Sequence, residues 1–294
     1  MATRRDVLVA AAASMGASVA ARAASRSFDP ASTDQAFEVL LRLIGSLSPR
    51  TVYENYSGVI FAHTPGEPAA PILRFRGVNK TVWTSLSDSA LRSRRYDMMT
   101  MQDYASRSSI TRFRNPLTGD ELDVPIIAFG PETLDHSLEL MRQGKRALYA
   151  AANWQESGPN LLHGYEVAFG YPHPLQPKDW PKGSPGERGF STIAISHEAP
   201  KAELLDRKAN SVRAVRSWIN VASWSPWMNM GQRPGALIWR GRGIKGVAID
   251  EIPADLRSEI ERAAPGFFES SEPWAERRDE FRQYMQANRP EPAA

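Results

Sequence analysis

The chain has 294 residues, 42% of them hydrophobic, a formal charge of +3 and no cysteine. Disulfides, a thiolate nucleophile and sulfur-ligated metals are therefore excluded. The near-balanced charge argues against the concentrated basic face of a nucleic-acid binder.

The first residues pair Arg4 with Arg5, continue in an apolar run from Val7 to Ala21 and reach the small-x-small site Ala21-Arg22-Ala23. This pattern predicts a secretory signal over residues 1–23, removed by the twin-arginine export machinery, and a periplasmic destination. The run is short and Ala-rich against the roughly 20 strongly apolar residues of a membrane span, and no later stretch approaches that length, so no stable span is expected. Cleavage would remove Arg4, Arg5, Arg22 and Asp6, which lowers the formal charge of +3 by two, to +1. Residues 24–294 then read as one domain with ample apolar content for its core.

Within that stretch, Ser32 and Gln35 are spaced for a capping box, and Phe37, Leu40, Leu41 and Ile44 recur at helical spacing up to Gly45 and Pro49. From Val52 the texture changes to short aromatic and β-branched runs separated by turns, which read as antiparallel strands. In two of them, Arg74 and Arg76 flank Phe75, and Arg112 and Arg114 flank Phe113. Those arginines form a solvated outer face if the phenylalanines point to the core, and an anion-binding set if they do not. Asn115 to Asp120 carries Pro and Gly placed for a hairpin turn. Helices are expected over Thr133 to Gly144, over Pro200 to Ala209, after Pro253, and after Pro273. Strands in the middle and helices at both ends predict a mainly β (α+β) fold, an antiparallel barrel or half-barrel with N- and C-terminal helices packed at its ends.

Polar groups able to do chemistry are sparse. The five histidines (His63, His136, His163, His173, His197) show none of the short spacings of a familiar metal motif, so neither metal nor another cofactor is expected. No nucleophile elbow, Walker loop or dinucleotide fingerprint is present, and Gly241 to Gly246 reads as a loop between strands. Alternation along Leu161 to Tyr171 places His163 and Tyr165 on one aromatic face. They are an acid/base pair if that face lines a pocket, and a core pair if it does not. The stretch Trp224 to Trp239 concentrates Trp224, Trp227, Met228, Met230 and Trp239 around Arg233. Flat indole walls and adaptable thioethers suit a pocket for a small hydrophobic or aromatic molecule oriented by Arg233; a structural corner is the alternative.

Asn-Pro-x-Thr-Gly at Asn115 to Gly119, "PKDWP" at Pro177 to Pro181, "PWMNMGQRPG" at Pro226 to Gly235 and "IPADL" at Ile252 to Leu256 resemble DUF1838, a family of bacterial and fungal proteins of unknown function. The resemblance implies a fold and, since many bacterial members carry twin-arginine signals, an exported compartment. It supplies no catalytic residue, and Gln232 stands where the family often has Asp. Two functions are consistent with these readings: a cofactor-independent acid/base enzyme, whether isomerase, lyase or hydrolase, and a non-catalytic periplasmic binder or carrier.

Export is directly testable: the double change Arg4→Lys with Arg5→Lys is expected to leave full-length precursor in the cytoplasm. Fractionation that finds unchanged periplasmic protein would exclude this route.

Overall fold

A computed structural model describes residues 27–144 and 146–291; the signal expected over residues 1–23 lies outside the described residues. The chain enters through helix α1 (Thr33–Ile44) and then builds β1 (Arg50–His63), β2 (Ala70–Ser87) and β3 (Ala90–Asp103). A two-stranded hairpin follows, β4 (Arg112–Arg114) with β5 (Glu121–Asp123), and then β6 (Ile127–Ser137), α2 (Leu138–Arg142), β7 (Trp154–Ser157) and β8 (Asn160–Pro172). The remainder is β9 (Arg188–Pro200), α3 (Lys201–Leu204), β10 (Ala214–Ala222), β11 (Ala236–Val247), α4 (Ala254–Ala263) and α5 (Glu280–Ala287).

Nine of the strands make one antiparallel sheet in the order β6-β3-β2-β1-β11-β10-β9-β8-β7. It curls into a half-barrel so far that Arg95 and Glu132 from one end line the same cavity as Tyr165 and His197 from the other. The curl depends on glycines on the concave face. A Cβ at Gly77 would overlap the Tyr56 hydroxyl and the Met98 carbonyl, and one at Gly241 would overlap the Trp218 indole. With hydrogen there instead, Tyr56 and Trp218 lie flat across neighbouring strands.

Three apolar clusters hold this sheet. At one end of the concave face, Ala36, Phe37, Leu40 and Leu41 of α1 pack on Val52, Trp83, Leu161 and Ala214. At the other, Trp224, Trp227, Met228 and Met230 pack on Ile60, Leu73, Phe75 and Leu237. The third lies outside the barrel, where Leu256 and Ile260 of α4, with Phe267, Phe268 and Trp274, cover Tyr53, Val78, Tyr96 and Met98. Helix α4 therefore covers the outer face of β1 to β3, while α5 sits beside β6, its Gln283 side chain accepting from the Ala128 amide at 2.9 Å.

Several local expectations change under tertiary contact. Ser32 makes no side-chain cap, because Gln35 accepts from the Asp29 amide at 2.8 Å instead. Thr133 to Ser137 is strand, not helix, since Ser93 and Leu91 of β3 pair with Leu134 and His136. The segment after Pro200 makes only the four residues of α3. The last helix starts at Glu280 under an Asp279 cap, because Trp274 leaves the helical path to donate to the Gly130 carbonyl at 2.8 Å. Gly241 to Gly246 is part of β11 rather than a loop. Phe75 and Phe113 point inward, so the arginines beside them face out, and Arg76 pairs with Asp255 and Glu259 of α4.

If Gly77 is the clearance on which Tyr56 depends, Gly77→Val overpacks the concave face and costs about 1–3 kcal/mol or more. Gly170→Ala meets only ordinary contacts, with Arg188 and Gly189 as neighbours, and is expected to be near neutral. Thermal unfolding of both variants checks this; equal midpoints would refute the clearance argument.

Candidate functional site

Between the two apolar ends, the concave face turns polar. Cross-strand registers set His163 of β8 beside His197 of β9, His197 beside Arg216 of β10, and Tyr165 beside Ile195. On the facing side Glu54 of β1 pairs with Asn79 of β2, and Asn79 with Asp97 of β3. Period-two alternation along these long strands delivers all of these side chains to the interior. They surround a chamber of about 100 Å³ whose lining includes Glu54, Arg95, Glu132, Tyr165, His197 and Arg216.

The charges inside are matched. Arg216 reaches Glu54 at 3.1 Å with both side chains buried, and its guanidinium lies 4.7 Å over the Trp218 ring. Arg95 meets Glu132 at 3.0 Å; the Arg95 side chain is 40% exposed, so this side of the chamber opens to water. Tyr56 donates its hydroxyl to Asp97, whose other oxygen accepts from Asn79 at 3.2 Å. Burial pushes the Asp97 carboxyl up against the opposing pull of Arg95, Tyr56 and Arg216. Thr81 donates to Asn79 at 2.9 Å and fixes that amide.

Tyr165 and His197 stack with centroids 6.4 Å apart and an interplanar angle of 12°. Burial raises the phenol, although Arg216 and Arg95 draw it down, so the hydroxyl keeps its proton at neutral pH. Burial, then Arg216, holds the His197 imidazole well below its ordinary value, hence neutral. Its Nδ1 is sealed without a partner, which leaves Nε2 as the nitrogen available to a ligand. A protonated phenol, a neutral imidazole and two guanidiniums around one small space can move a proton and stabilise a negative oxygen.

His163 and Tyr165 share this face, with centroids 6.1 Å apart. His163 is fully buried under the edge of Trp154 at 4.6 Å, and burial lowers it to about 4. It stands one strand behind His197 and does not border the chamber; His136 does border it, but both its ring nitrogens are held by Ser93 and Tyr149, which leaves His197 as the imidazole in place to act. The tryptophan-methionine stretch lies elsewhere. Trp224, Trp227, Met228 and Met230 belong to the apolar end cluster. There the Trp224 indole donates to the Arg233 carbonyl at 2.8 Å and that of Trp227 to Glu280 at 2.7 Å. The Arg233 side chain is exposed, and Trp239 packs on Phe75 at 5.5 Å. None of the six borders the chamber. These residues lie in and around the apolar end cluster, and the guanidiniums that line the chamber with Tyr165 are Arg95 and Arg216.

Sequence reasoning did not single out Arg95, Asp97, Arg216 or His197. The signal was present in alternation: residues 95 and 97 share one face of β3, and residues 216 and 218 share one face of β10. Of the other histidines, His63 is exposed, and the ring of His136 meets Ser93 at 2.9 Å and Tyr149 at 3.2 Å. His173 accepts from the Leu175 amide at 3.2 Å. Among the described residues no three His, Asp or Glu side chains stand close enough together to hold a metal ion.

The depressed imidazoles carry a signed consequence. His136 and His163 both fall from 6.5 to about 4. Their share of stability is therefore full above pH 6.5 and lost as pH falls through 4. Ring-proton NMR titration is expected to show both midpoints near 4; a midpoint near 6.5 for either would mean that water reaches that ring.

No curated protein matches the chain. A family model described as a protein of unknown function, DUF1838, matches residues 49–288 and so spans β1 to β11 with both C-terminal helices. Every chamber residue named above lies within that match, and the chain belongs to the DUF1838 family.

Proposed function

We propose that the chain is an exported, periplasmic protein whose half-barrel binds a small, mostly apolar, ring-bearing molecule by a polar end and acts on it as a cofactor-independent acid/base enzyme. The observation that carries this reading is the Tyr165–His197 stack facing Arg95 and Arg216 across one chamber. The paired arginines and small-residue site of the leader support the destination.

The dimensions support a divided ligand. A chamber of about 100 Å³ is smaller than the ~150 Å³ known to admit benzene, so it suits a carbonyl or similar group rather than a whole ring. Beyond Tyr165 the same face of β8 continues with Val167, 38% exposed, and Phe169, 52% exposed, which the apolar end cluster leaves uncovered. An apolar ring rests there while its oxygen enters the chamber.

In the step this arrangement favours, the His197 imidazole takes a proton from the carbon next to a carbonyl. Tyr165 gives its own proton to the carbonyl oxygen, and the C–H electron pair becomes the enol double bond. Arg95 and Arg216 stabilise negative charge on the oxygen in passage. Return of the proton to the same or a neighbouring carbon completes an exchange or an isomerisation. The uncovered Val167 and Phe169 also favour a second reading, a carrier that uses the same chamber without chemistry.

The test uses 2-indanone, a compact ring ketone with acidic benzylic protons. Saturable quenching of tryptophan fluorescence reports binding next to Trp83, which lines the chamber, and proton NMR in deuterium oxide reports exchange at the benzylic carbon. Tyr165→Phe is expected to slow exchange by about 10²–10⁴ with binding retained. Binding without any exchange would favour the carrier, and absence of both across small aromatic ketones and carboxylates would overturn the chamber as a ligand site.

A further inference from the structure

Helix α4 and the segment after it cover the outer face of β1 to β3, but among the described residues no helix lies over the outer face of β11, β10, β9 and β8, which Ala152, Asn153 and Gln155 only border. There the twisted sheet forms an open trough of about 890 Å³, separate from the chamber except that Tyr165 contributes to both walls. Two rows of side chains cross its floor. In the first, Ser57 of β1, Arg242 of β11, Ser217 of β10 and Ser196 of β9 are successive cross-strand neighbours. In the second, Val59, Arg240, Ile219 and Ala194 follow in the same order, ending beside Glu166 of β8.

What distinguishes the floor is hydrogen-bonding capacity that the protein does not use. Among the described residues, the guanidiniums of Arg240 and Arg242 meet no carboxylate, and the hydroxyls of Ser57, Ser217 and Ser196 meet no internal partner. Elsewhere on the sheet Arg76, Arg92, Arg94, Arg95 and Arg216 are ion-paired and Arg74 donates to the Tyr104 carbonyl at 3.2 Å. Arg50 and Arg188, unpaired among the described residues, lie on different strands rather than two residues apart on one. Arg240 and Arg242 stand two residues apart on one strand, so their Cα atoms are about 7 Å apart and their like charges add. Glu166 at the far rim is the one carboxylate bordering the trough, and it faces Ala194 rather than either arginine.

We propose that this trough binds an extended anionic oligosaccharide. Guanidiniums recognise its carboxylates or sulfates, and the serine row exchanges hydrogen bonds with sugar hydroxyls, which both donate and accept. Five strands at about 4.8 Å spacing give a floor roughly 19 Å across, long enough for several sugar units laid across the strands. Other polyanions fit less well. A flat lipid surface does not enter a concavity, and two cations are sparse against a duplex with one charge per ~1.7 Å.

Calorimetric titration of the full-length chain at low salt, with hexasaccharides of galacturonate, alginate and heparin as probes and neutral maltohexaose as control, tests the proposal. At least one acidic hexasaccharide is expected to bind saturably and maltohexaose not to bind. Arg240→Gln with Arg242→Gln is expected to weaken that binding at least tenfold with an unchanged melting temperature, and Ser217→Val to weaken it about threefold. Failure of all three acidic probes, equal binding by the double variant, or tighter binding of polyphosphate or short single-stranded DNA would overturn it. So would a concentration-dependent dimer abolished by the same arginine changes, since a second copy would then be the occupant. None of these residues touches the Tyr165–His197 chemistry, so either proposal can fail without the other.

Discussion

The interior of this protein depends on large side chains lying across strands at places where the neighbouring strand has no Cβ. Tyr56 occupies the space over Gly77, and from there its hydroxyl reaches Asp97 two strands away. Trp218 occupies the space over Gly241 and gives Arg216 a flat surface to lie on. Glycine within a strand weakens it locally by backbone entropy. Here that loss permits a curl tight enough for β3 and β6 to face β8 and β9. Remove the clearance and the rings must rise, the curl opens, and the polar groups no longer converge.

The convergence also requires that the charges neutralise one another. An unpaired ion buried among apolar neighbours is expensive, and truncating one member of a buried pair strands the other. The chamber meets this constraint with Arg216 against Glu54 and Arg95 against Glu132, and with an Asp97 carboxyl satisfied by Tyr56 and Asn79. Two buried lysines meet it differently. Lys245 donates to the carbonyls of Arg42 and Gly45 and to the Ser211 hydroxyl, which ties the end of α1 to β11. Lys80 donates to the carbonyls of Phe267, Phe268 and Ser270 and fastens the C-terminal segment to β2. Burial lowers Lys245 to about 7 and Lys80 to about 8. Both side chains serve the frame of the barrel, since carbonyls at helix and turn ends accept their hydrogen bonds.

Function and packing are thus divided along the axis of the half-barrel. The ends are apolar, and the most conspicuous aromatic stretch of the chain, from Trp224 to Met230, closes one of them. The middle is polar and is built from residues that are individually ordinary, among them Tyr165, His197, Arg95 and Arg216 on four different strands. A tryptophan indole that donates to a backbone carbonyl or a buried glutamate has its one polar group satisfied. Such a ring contributes area and rigidity more readily than ligand contact.

The sequence alone determined whatever depends on near neighbours in the chain. Period-two alternation set which side chains share a face, so that Phe75 opposes its flanking arginines and His163 sides with Tyr165, but only the structure turned Phe75 and Phe113 inward. Turn chemistry at Asn115 to Gly119 fixed the β4–β5 hairpin, and helical spacing fixed α1. Composition fixed the absence of thiol chemistry, and four short motifs fixed the family. The tertiary structure decided which strands face one another across the barrel. That choice rests on contacts between residues more than a hundred positions apart, such as Arg216 with Glu54, and on ring clearances at single glycines, neither of which leaves a local pattern. It turned Thr133 to Ser137 from helix to strand by pairing it with β3, and it exchanged Arg233 for Arg95 and Arg216 as the cations nearest Tyr165. It also set His197, one of five dispersed histidines, in the chamber wall beside Arg216, because register between strands, not spacing along them, brings side chains together.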